Sequence, residues 1–277
     1  MVMDGKDIKE RVLTEYEEKV KGLEKRLRLV VIQVGDDSAS NVYIGQKEKM
    51  CKRVGYDFVH IKYGVDTPDG EIIENIEELN RDERVTGILL QLPLPNGMDA
   101  GKILSHIDYR KDVDGLTDRN MGRLVHRKDC LAPCTPTGIM RMLDCYGIEV
   151  QGKNVVIVGR SDLVGKPLFN MMLNRNATVT ICHSQTENLA DYTRRADILV
   201  VAIGHREFIT GDMIKDGAVV IDVGINRYEG RLYGDVNFME CKDKASYITP
   251  VPGGVGAMTI ASLCMNIYKA GMFKEDL

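Results

Sequence analysis

The sequence predicts an α/β protein of two domains with mainly parallel sheets. Short apolar runs alternate along the chain with amphipathic segments of helical spacing, and this alternation predicts right-handed βαβ units. The apolar runs are continuous rather than alternating, which is typical of parallel strands buried on both faces. A chain of 277 residues corresponds to about two domains of roughly 150 residues each.

The predicted strands fall into two groups. Those of the first half are Leu29–Val34, Asp57–Ile61 and Gly87–Leu92, and those of the second half are Val155–Val158, Thr178–Cys182, Ile198–Val201, Ala218–Val223 and Ser246–Ile248. A proline-rich stretch predicts a domain change between Asp112 and Pro136, with Pro136 at the first position of a helix. We expect one domain over residues 1–115 plus 257–277 and the other over 116–256. Residues 225–236 predict a hairpin, and the last helix, 257–270, is expected to return to the first domain.

Composition excludes several classes of protein. The net charge of −4 is mild, and no basic stripe favours nucleic acid. The N-terminus is acidic from the start and no apolar run approaches the length of a membrane span, so we expect neither a signal peptide nor a membrane partner. The seven cysteines are scattered. They predict buried thiols in a reducing cytoplasm and no metal site, because Cys130 and Cys134 lack a second ligand pair.

A glycine turn follows the first strand of the second half. Residues 159–167 read Gly-Arg-Ser-Asp-Leu-Val-Gly-Lys-Pro directly after the run 154–158. A strand, a tight turn and a helix N-terminus together offer backbone N–H groups to a phosphate, which favours a dinucleotide site. Ser161 replaces the middle glycine of the usual pattern, and Gly165 closes it. The alternative is a plain βα turn whose glycines serve only positive φ.

The next strand indicates which dinucleotide would bind. An NAD site normally carries a carboxylate at the end of the second strand, but here that strand ends Cys182-His183-Ser184. Arg160 in the turn and Ser184 supply a cation and a hydroxyl, which suit a 2′-phosphate. The pattern therefore favours NADP over NAD, although Arg160 alone could be a solvated surface arginine. His183 is better explained as a loop histidine.

The first half carries a set of polar residues near strand ends. Tyr43 and Lys47 share one helix face at i and i+4, and a lysine with a pKa depressed by burial could transfer protons. The alternative is ordinary surface packing. Gln91 interrupts an apolar run, so its amide either satisfies a neighbouring backbone or points toward a ligand or Lys47. Asp112 and Asp114 would point to opposite sides of an extended segment, so at most one enters a site.

These motifs occur in a fixed order. They are Tyr43-x-x-x-Lys47, Leu90-Gln91-Leu92-Pro93-Leu94-Pro95, Asp112-Val113-Asp114-Gly115, Pro133-Cys134-Thr135-Pro136-x-Gly138, Gly159-Arg160-Ser161 and Pro250-Val251-Pro252-Gly253-Gly254-Val255-Gly256. Over residues 35–263 the chain closely resembles the bifunctional methylenetetrahydrofolate dehydrogenase/cyclohydrolase family of the FolD type. The family often has proline where Ala257 stands.

The resemblance implies a fold, an assembly and two reactions. It implies an N-terminal three-layer α/β folate domain, a C-terminal Rossmann domain that binds NADP, a cleft between them, and a homodimer. Hydride would pass from the methylene bridge of 5,10-methylenetetrahydrofolate to the nicotinamide, giving the 5,10-methenyl cation. Water would then add to that cation, and the ring would open to 10-formyltetrahydrofolate. These reactions belong to one-carbon metabolism.

The resemblance also implies roles for particular residues. Lys47 would handle protons during hydrolysis, with Gln91 restraining its charge state. Tyr43 would pack on the folate ring, and Asp114 would hold the N–H donors of the pterin. The further expected folate contacts are Pro93, Leu94, Gly253 and Gly254. The expected NADP contacts are Gly159, Arg160, Ser161, Val164, Gly165, Ser184 and Ile225.

Three other functions are compatible with parts of the sequence. A dehydrogenase that has lost hydrolytic activity would let the methenyl product accumulate. An NADP-binding regulatory protein with an inactive folate pocket would not need the set Tyr43, Lys47, Gln91 and Asp114. A shikimate-type dehydrogenase would share the Rossmann domain but would leave Tyr43, Lys47 and the proline-rich motif unexplained.

Overall fold

The computed structural model describes residues 1–273 as alternating helices and strands. The strands are β1 Arg28–Val34, β2 Asp57–Tyr63, β3 Gly87–Leu90, β4 Asn154–Val158, β5 Thr178–Cys182, β6 Ile198–Val201, β7 Val219–Asp222, β8 Asn226–Tyr228, β9 Arg231–Tyr233 and β10 Tyr247–Ile248. The helices are α1 Gly5–Lys21, α2 Ser38–Val54, α3 Asp69–Arg81, α4 Ala100–Leu104, α5 Asp118–Val125, α6 Cys134–Cys145, α7 Gly165–Asn174, α8 Leu189–Thr193, α9 Phe238–Cys241 and α10 Val255–Gly271. A 3-10 turn lies at Gly211–Met213.

The chain forms two compact units. One comprises Arg11–Cys134 and the chain from Ile260, and we call it the three-stranded unit; the other comprises Met1–Glu10 and Thr135–Thr259, and we call it the five-stranded unit. The predicted domain boundaries differ from these and stay a prediction. Residues 116–134 belong with the three-stranded unit, where Thr117 N and Asn120 Nδ2 donate to the Asp112 carboxylate.

The three-stranded unit has a parallel sheet of order β2-β1-β3 with a core on each face. Alternate residues of β1 point to opposite faces, as strand geometry requires. Leu29 and Val31 join the core built with α2 and the end of α10, whereas Val30, Ile32 and Val34 join the core built with α3 and α4. This unit therefore has three layers.

The five-stranded unit has an all-parallel sheet of order β10-β7-β6-β4-β5. The chain runs from β4 outward to β5 and then returns to β6 on the other side of β4. Ligands of such sheets bind outside the carboxyl ends of the strands where the order reverses, which here lies between β4 and β6. The predicted hairpin is present as the antiparallel pair β8 and β9.

Several element ends differ from the predictions for local physical reasons. Strand β3 ends at Leu90 rather than Leu92, because Pro93 follows closely and proline has no N–H for a ladder. Helix α6 begins at Cys134, so Pro136 is its third residue rather than its first. Helix α10 begins at Val255 rather than Ala257, and the Ala257 N–H donates to Gly254 O at 3.2 Å, a bond that proline could not make. No helix within residues 1–273 is long and apolar enough to span a bilayer.

Candidate active site and nucleotide-binding turn

Lys47 lies on the buried face of α2. The helix starts at the N-cap Asp37, whose side chain accepts from Ser40 N at 2.7 Å, and its spacing turns Ile44, Lys47 and Cys51 toward the core. Lys47 is only 8% exposed, whereas Tyr43 is 36% exposed. Surface packing, the alternative interpretation of this pair, therefore does not describe Lys47.

Gln91 is the direct partner of the buried lysine. Lys47 Nζ donates to Gln91 Oε1 at 2.7 Å, and Gln91 is itself 8% exposed. The amide of Gln91 is fixed in turn, because its Nε2 donates to Leu92 O at 2.7 Å and its backbone N–H donates to Ile32 O at 2.8 Å. The glutamine thus satisfies a neighbouring backbone and faces the lysine, so both interpretations of it hold.

Burial shifts the charge balance of Lys47 and Asp114 toward their neutral forms. Burial lowers the pKa of the Lys47 ammonium, while attraction to Asp114 opposes that shift. Burial likewise raises the pKa of the Asp114 carboxyl, while attraction to Lys47 opposes it. A lysine in this setting releases its proton more readily than a surface lysine does, which suits proton transfer.

The two aspartates of the Asp-Val-Asp-Gly motif have different environments. Asp112 is fully buried and accepts N–H groups from Gly115 at 2.9 Å and from Thr117 at 2.8 Å, besides the Asn120 amide at 3.0 Å. Its carboxylate therefore shapes the loop that leads into α5. The Asp114 carboxyl is near enough to Lys47 to interact with it. That at most one of the two aspartates enters the site stays a prediction.

Two residues that the sequence analysis did not assign to the site hold Asp114 in place. Asn266, buried on α10, donates from Nδ2 to Val113 O at 2.9 Å and to Ala132 O at 2.8 Å. The Cys134 thiol donates to Val113 O at 3.4 Å and lies beside the Asp114 carboxyl. Burial raises the pKa of the Cys134 thiol well above its ordinary value, so it stays a donor. An asparagine inside an otherwise apolar helical run was the available signal for Asn266.

The proline-rich segment after β3 contributes one exposed and one packed residue. Pro93 is exposed, and Leu94 is half-buried against the core that contains Ile32 and Leu90. Leu94 therefore anchors this segment to the sheet. Tyr43 and Pro93 leave surface available to a ligand.

The glycine turn of the five-stranded unit has the close packing of a dinucleotide-binding turn. Gly159 has φ +128°, and a Cβ there would lie 2.2 Å from Ala202 O. A Cβ at Gly165, the first residue of α7, would lie 2.1 Å from Gly159 O. Ser161 Oγ accepts from Val164 N at 3.2 Å. The strand, turn and helix predicted from the sequence are therefore present, and both glycine positions exclude a side chain.

The charged groups around this turn fit a phosphate. Arg160 is exposed, and its side chain forms no hydrogen bond or ion pair within residues 1–273. Asp162, the nearest carboxylate in sequence, is paired with Lys166 at 2.5 Å. Ser184 is exposed just after β5, and the His183 ring accepts from Gln185 N at 3.2 Å, as a loop histidine does. Glycine packing, the Arg160 guanidinium and the exposed Ser184 hydroxyl, neither with a partner among residues 1–273, fit a phosphorylated dinucleotide.

Two further segments border the carboxyl edge of the same sheet. The loop Ala202–Gly204 follows β6, across the switch point from Gly159, and the sequence analysis did not assign it to the site. Ile225 follows β7 and is half exposed.

Gly253, another residue expected at the site, has φ +107°, and its carbonyl accepts from Gly5 N at 2.9 Å. No cluster of three or more potential metal ligands occurs within the described residues.

The chain matches known family models and known proteins over nearly its whole length. Residues 3–114 match the catalytic domain of tetrahydrofolate dehydrogenase/cyclohydrolase, and residues 133–275 match its NAD(P)-binding domain. A "Bifunctional protein FolD" of Campylobacter hominis is 50% identical over 273 residues, which cover 97% of this chain and 96% of the relative.

Solved structures agree in fold. The bifunctional enzyme FolD of Campylobacter jejuni is 42% identical, with a TM-score of 0.97 and 98% of each chain covered. The Trypanosoma brucei dehydrogenase-cyclohydrolase, solved with NADP and an inhibitor, is 35% identical, with a TM-score of 0.93 over 98% of this chain and 96% of that one. These matches confirm the expected two-domain α/β fold and NAD(P)-dependent dehydrogenase and cyclohydrolase chemistry on tetrahydrofolate compounds. The chain belongs to the tetrahydrofolate dehydrogenase/cyclohydrolase family.

Proposed function

We propose that this chain oxidises 5,10-methylenetetrahydrofolate with NADP⁺ to the 5,10-methenyl compound and hydrolyses that product to 10-formyltetrahydrofolate. The observation that carries the hydrolytic half is the buried Lys47 amine, which is bonded to Gln91 at 2.7 Å and lies beside Asp114. A dehydrogenase alone has no need of a buried lysine, because hydride transfer requires no base.

The oxidation step depends on positioning. Bound NADP⁺ supplies the hydride acceptor, and the chain's own residues must hold it and the folate in place. Arg160 and Ser184 are proposed to hold the 2′-phosphate, with Gly159, Ser161, Val164 and Gly165 around the pyrophosphate and Ile225 against the nicotinamide end. The preference for NADP is supported by the Arg160 guanidinium, which has no partner in the part of the chain that the structure describes, and by the NADP bound in the trypanosomal relative.

The hydrolytic step depends on proton transfer by Lys47. Its amine takes one proton of the water as the water oxygen adds to the methenyl carbon, and it returns that proton to the ring nitrogen when the carbon–nitrogen bond breaks. The second proton of the water leaves to solvent as the carbonyl of the formyl group forms. Gln91 Oε1 accepts one amine hydrogen and so restrains the orientation of the amine. Acid–base groups of this kind contribute typically about 10²–10⁴-fold to a rate.

The remaining contacts hold the folate. The Asp114 carboxyl has two oxygens suited to adjacent N–H groups of the pterin. Tyr43, one turn before Lys47 and 36% exposed, is proposed to pack on its ring. Pro93 and Leu94 are proposed to line the substrate site beside Gln91, and Gly253 and Gly254 to allow close backbone approach.

A single assay separates the bifunctional enzyme from a monofunctional dehydrogenase. Methenyltetrahydrofolate is added without nucleotide, and its disappearance is followed in buffer and with the protein. Hydrolysis faster than in buffer supports the proposal, and a rate equal to buffer leaves only the dehydrogenase. Nucleotide binding is measured separately, so a failed dehydrogenase does not obscure the result.

We also propose a homodimer in the cytoplasm. The dimer is supported by the family resemblance alone. A reducing compartment is supported by the seven cysteines, all within residues 1–273 and all unpaired. Light scattering coupled to gel filtration measures the assembly, and a monomer mass would remove the first proposal.

A further inference from the structure

A buried carboxylate outside the catalytic set gathers hydrogen bonds at the carboxyl edge of the five-stranded sheet. Asp235 lies just after β9 and is 0% exposed. Its Oδ2 accepts the N–H groups of Ile203 at 2.7 Å and Gly204 at 3.0 Å. Its Oδ1 accepts the His205 N–H at 2.8 Å and the Asn226 side-chain amide at 2.9 Å. One carboxylate therefore binds three consecutive backbone amides and one side chain.

The segments that Asp235 holds border the proposed nucleotide site on two sides. Ile203 and its two successors follow β6, and the residue before them, Ala202, donates to Val158 O at 2.8 Å. A Cβ on Gly159 would lie only 2.2 Å from Ala202 O. The loop that Asp235 holds is therefore continuous with the residue packed against the glycine turn. Asn226, the fourth donor, directly follows Ile225.

A second buried carboxylate fixes Asp235 itself. Asp222, at the end of β7, accepts the N–H groups of Asp235 at 2.9 Å, Val236 at 3.0 Å and Gly224 at 3.0 Å. The two bonds from Asp235 N and Val236 N set where the Asp235 backbone lies. Its side chain transmits that position to the loop after β6 and to the loop after β7. Burying two carboxylates is costly unless they accept hydrogen bonds. Here most of the donors are backbone N–H groups of loops, so the two carboxylates fix the geometry of those loops.

We propose that Asp235 is a positioning residue of the nucleotide site, which sets the separation of the loops after β6 and β7 between which the nicotinamide end of the dinucleotide lies. This inference rests on the proposed function, because it takes the nucleotide to bind where the strand order reverses. Asp235 touches neither substrate in this account and acts through Ile203–His205 and Asn226.

Asp235→Asn is the direct test. The substitution keeps the shape but replaces one acceptor oxygen by an NH₂ group that faces backbone donors, so the loop after β6 must move. We expect the Kd of NADP⁺, measured by calorimetry, to rise about tenfold or more. We expect hydrolysis of added methenyltetrahydrofolate without nucleotide to stay within about twofold, because Lys47 and Gln91 lie in the other unit.

Two companion variants make the test decisive. Asp197→Asn is the matched control, since Asp197 also accepts a backbone N–H, from Asn154 at 2.9 Å, but at the amino end of β4. It should leave nucleotide affinity and hydrolysis within about twofold of the native protein. Asn226→Ala removes a single donor, so it tests the same loops if Asp235→Asn does not fold, and we expect a rise of about threefold in the Kd of NADP⁺.

The outcomes are distinct. A Kd for NADP⁺ in Asp235→Asn within about twofold of the native value overturns the proposal. If Asp235→Asn does not fold, an unchanged Kd in Asn226→Ala overturns it. A native protein that binds NADP⁺ but does not reduce it with the methylene substrate contradicts the proposed function instead, and the Kd values of the variants still decide the role of Asp235.

Discussion

The ammonium nitrogen of Lys47 lies 2.7 Å from Oε1 of Gln91, with both side chains buried in one unit. Gln91 Nε2 is occupied by Leu92 O, so its oxygen can only face the lysine. Because an amide oxygen carries no charge, this bond orients the amine without stabilising the ammonium as a carboxylate would. Burial therefore lowers the pKa of Lys47, with Asp114 opposing the shift, and Gln91 orients the amine.

Lys47→Met should remove hydrolysis and spare nucleotide binding. Methionine has a similar length and no amine, so we expect methenyltetrahydrofolate hydrolysis to fall about 10²–10⁴-fold. The Kd of NADP⁺ should change by less than about twofold, because the nucleotide turn lies in the five-stranded unit. Lys47→Arg is the matched variant, since a guanidinium keeps the charge but does not deprotonate, and it should be equally inactive. Parallel loss of hydrolysis and NADP⁺ binding would indicate misfolding, whereas native hydrolysis in a Lys47→Met variant that still binds NADP⁺ would contradict the assignment.

The pH dependence of hydrolysis should reflect the lowered pKa of Lys47. With the neutral amine as the active form, the rate rises with pH and then reaches a plateau. The pKa at the midpoint of this rise should be below the 10.5 of an ordinary lysine. Stability depends on pH in the same direction, so the free energy of unfolding also rises with pH in this range. The unfolded chain binds this proton more tightly, so the contribution of Lys47 to the free energy of unfolding falls as pH drops through its folded-state pKa. Rate profiles of the native protein and Gln91→Leu provide the measurement, and a rate that falls as pH rises through this range would refute the neutral-amine mechanism.

Arg160→Ala should change the choice of nucleotide. The exposed guanidinium is proposed to bind the 2′-phosphate, and a hydrogen bond to a charged group is worth about 1.5–3 kcal/mol. The KM of NADP⁺ should therefore rise about ten- to hundredfold, while the KM of NAD⁺ stays nearly constant. Arg195→Ala, another exposed arginine of the same unit, is the control. An unchanged ratio of the two KM values would exclude Arg160 from this role.

Asn266→Leu should destabilise the protein and disturb Asp114. Leucine fits the volume but leaves Val113 O and Ala132 O without their buried donor, so we expect the free energy of unfolding to fall by roughly 2 kcal/mol or more. Asn170→Leu, which loses an exposed bond to Lys166 O, should cost less than about 0.5 kcal/mol. Urea denaturation of both variants measures the difference. Equal stability of the two would mean that Asn266 does not hold the Asp114 loop.

The sequence predicted the parallel sheets, the glycine turn and the polar set of the first half. Those features arise from local patterns, such as apolar runs, glycines at close approaches and helical spacing in α2. The sequence could not predict that Lys47 is 8% exposed while Tyr43 is 36% exposed, because the two share a helix face. Which of them turns inward depends on the packing of α2 against β1 and α10.

Contacts between segments far apart in the chain could not be predicted from local sequence patterns. Asn266 donates to Val113 O and Ala132 O, which are more than a hundred residues away in the chain. No pattern in the sequence around Asn266 identifies these partners. Asp235 likewise appears in a hairpin as an ordinary turn residue, yet its carboxylate organises the loop after β6. The end of β3 was placed two residues too late for a local reason, since Gln91 N still pairs with Ile32 O before Pro93 stops the ladder.

The most direct test of the central claim is an absorbance time course with both half-reactions in one cuvette. The protein is mixed with 5,10-methylenetetrahydrofolate and NADP⁺, with NAD⁺ in parallel, and separately added methenyltetrahydrofolate is followed without nucleotide. We predict reduced nucleotide with NADP⁺ ahead of NAD⁺, a methenyl signal that rises and decays, and hydrolysis of the added compound faster than in buffer. A methenyl signal that accumulates and decays no faster than in buffer would contradict the role of the buried Lys47.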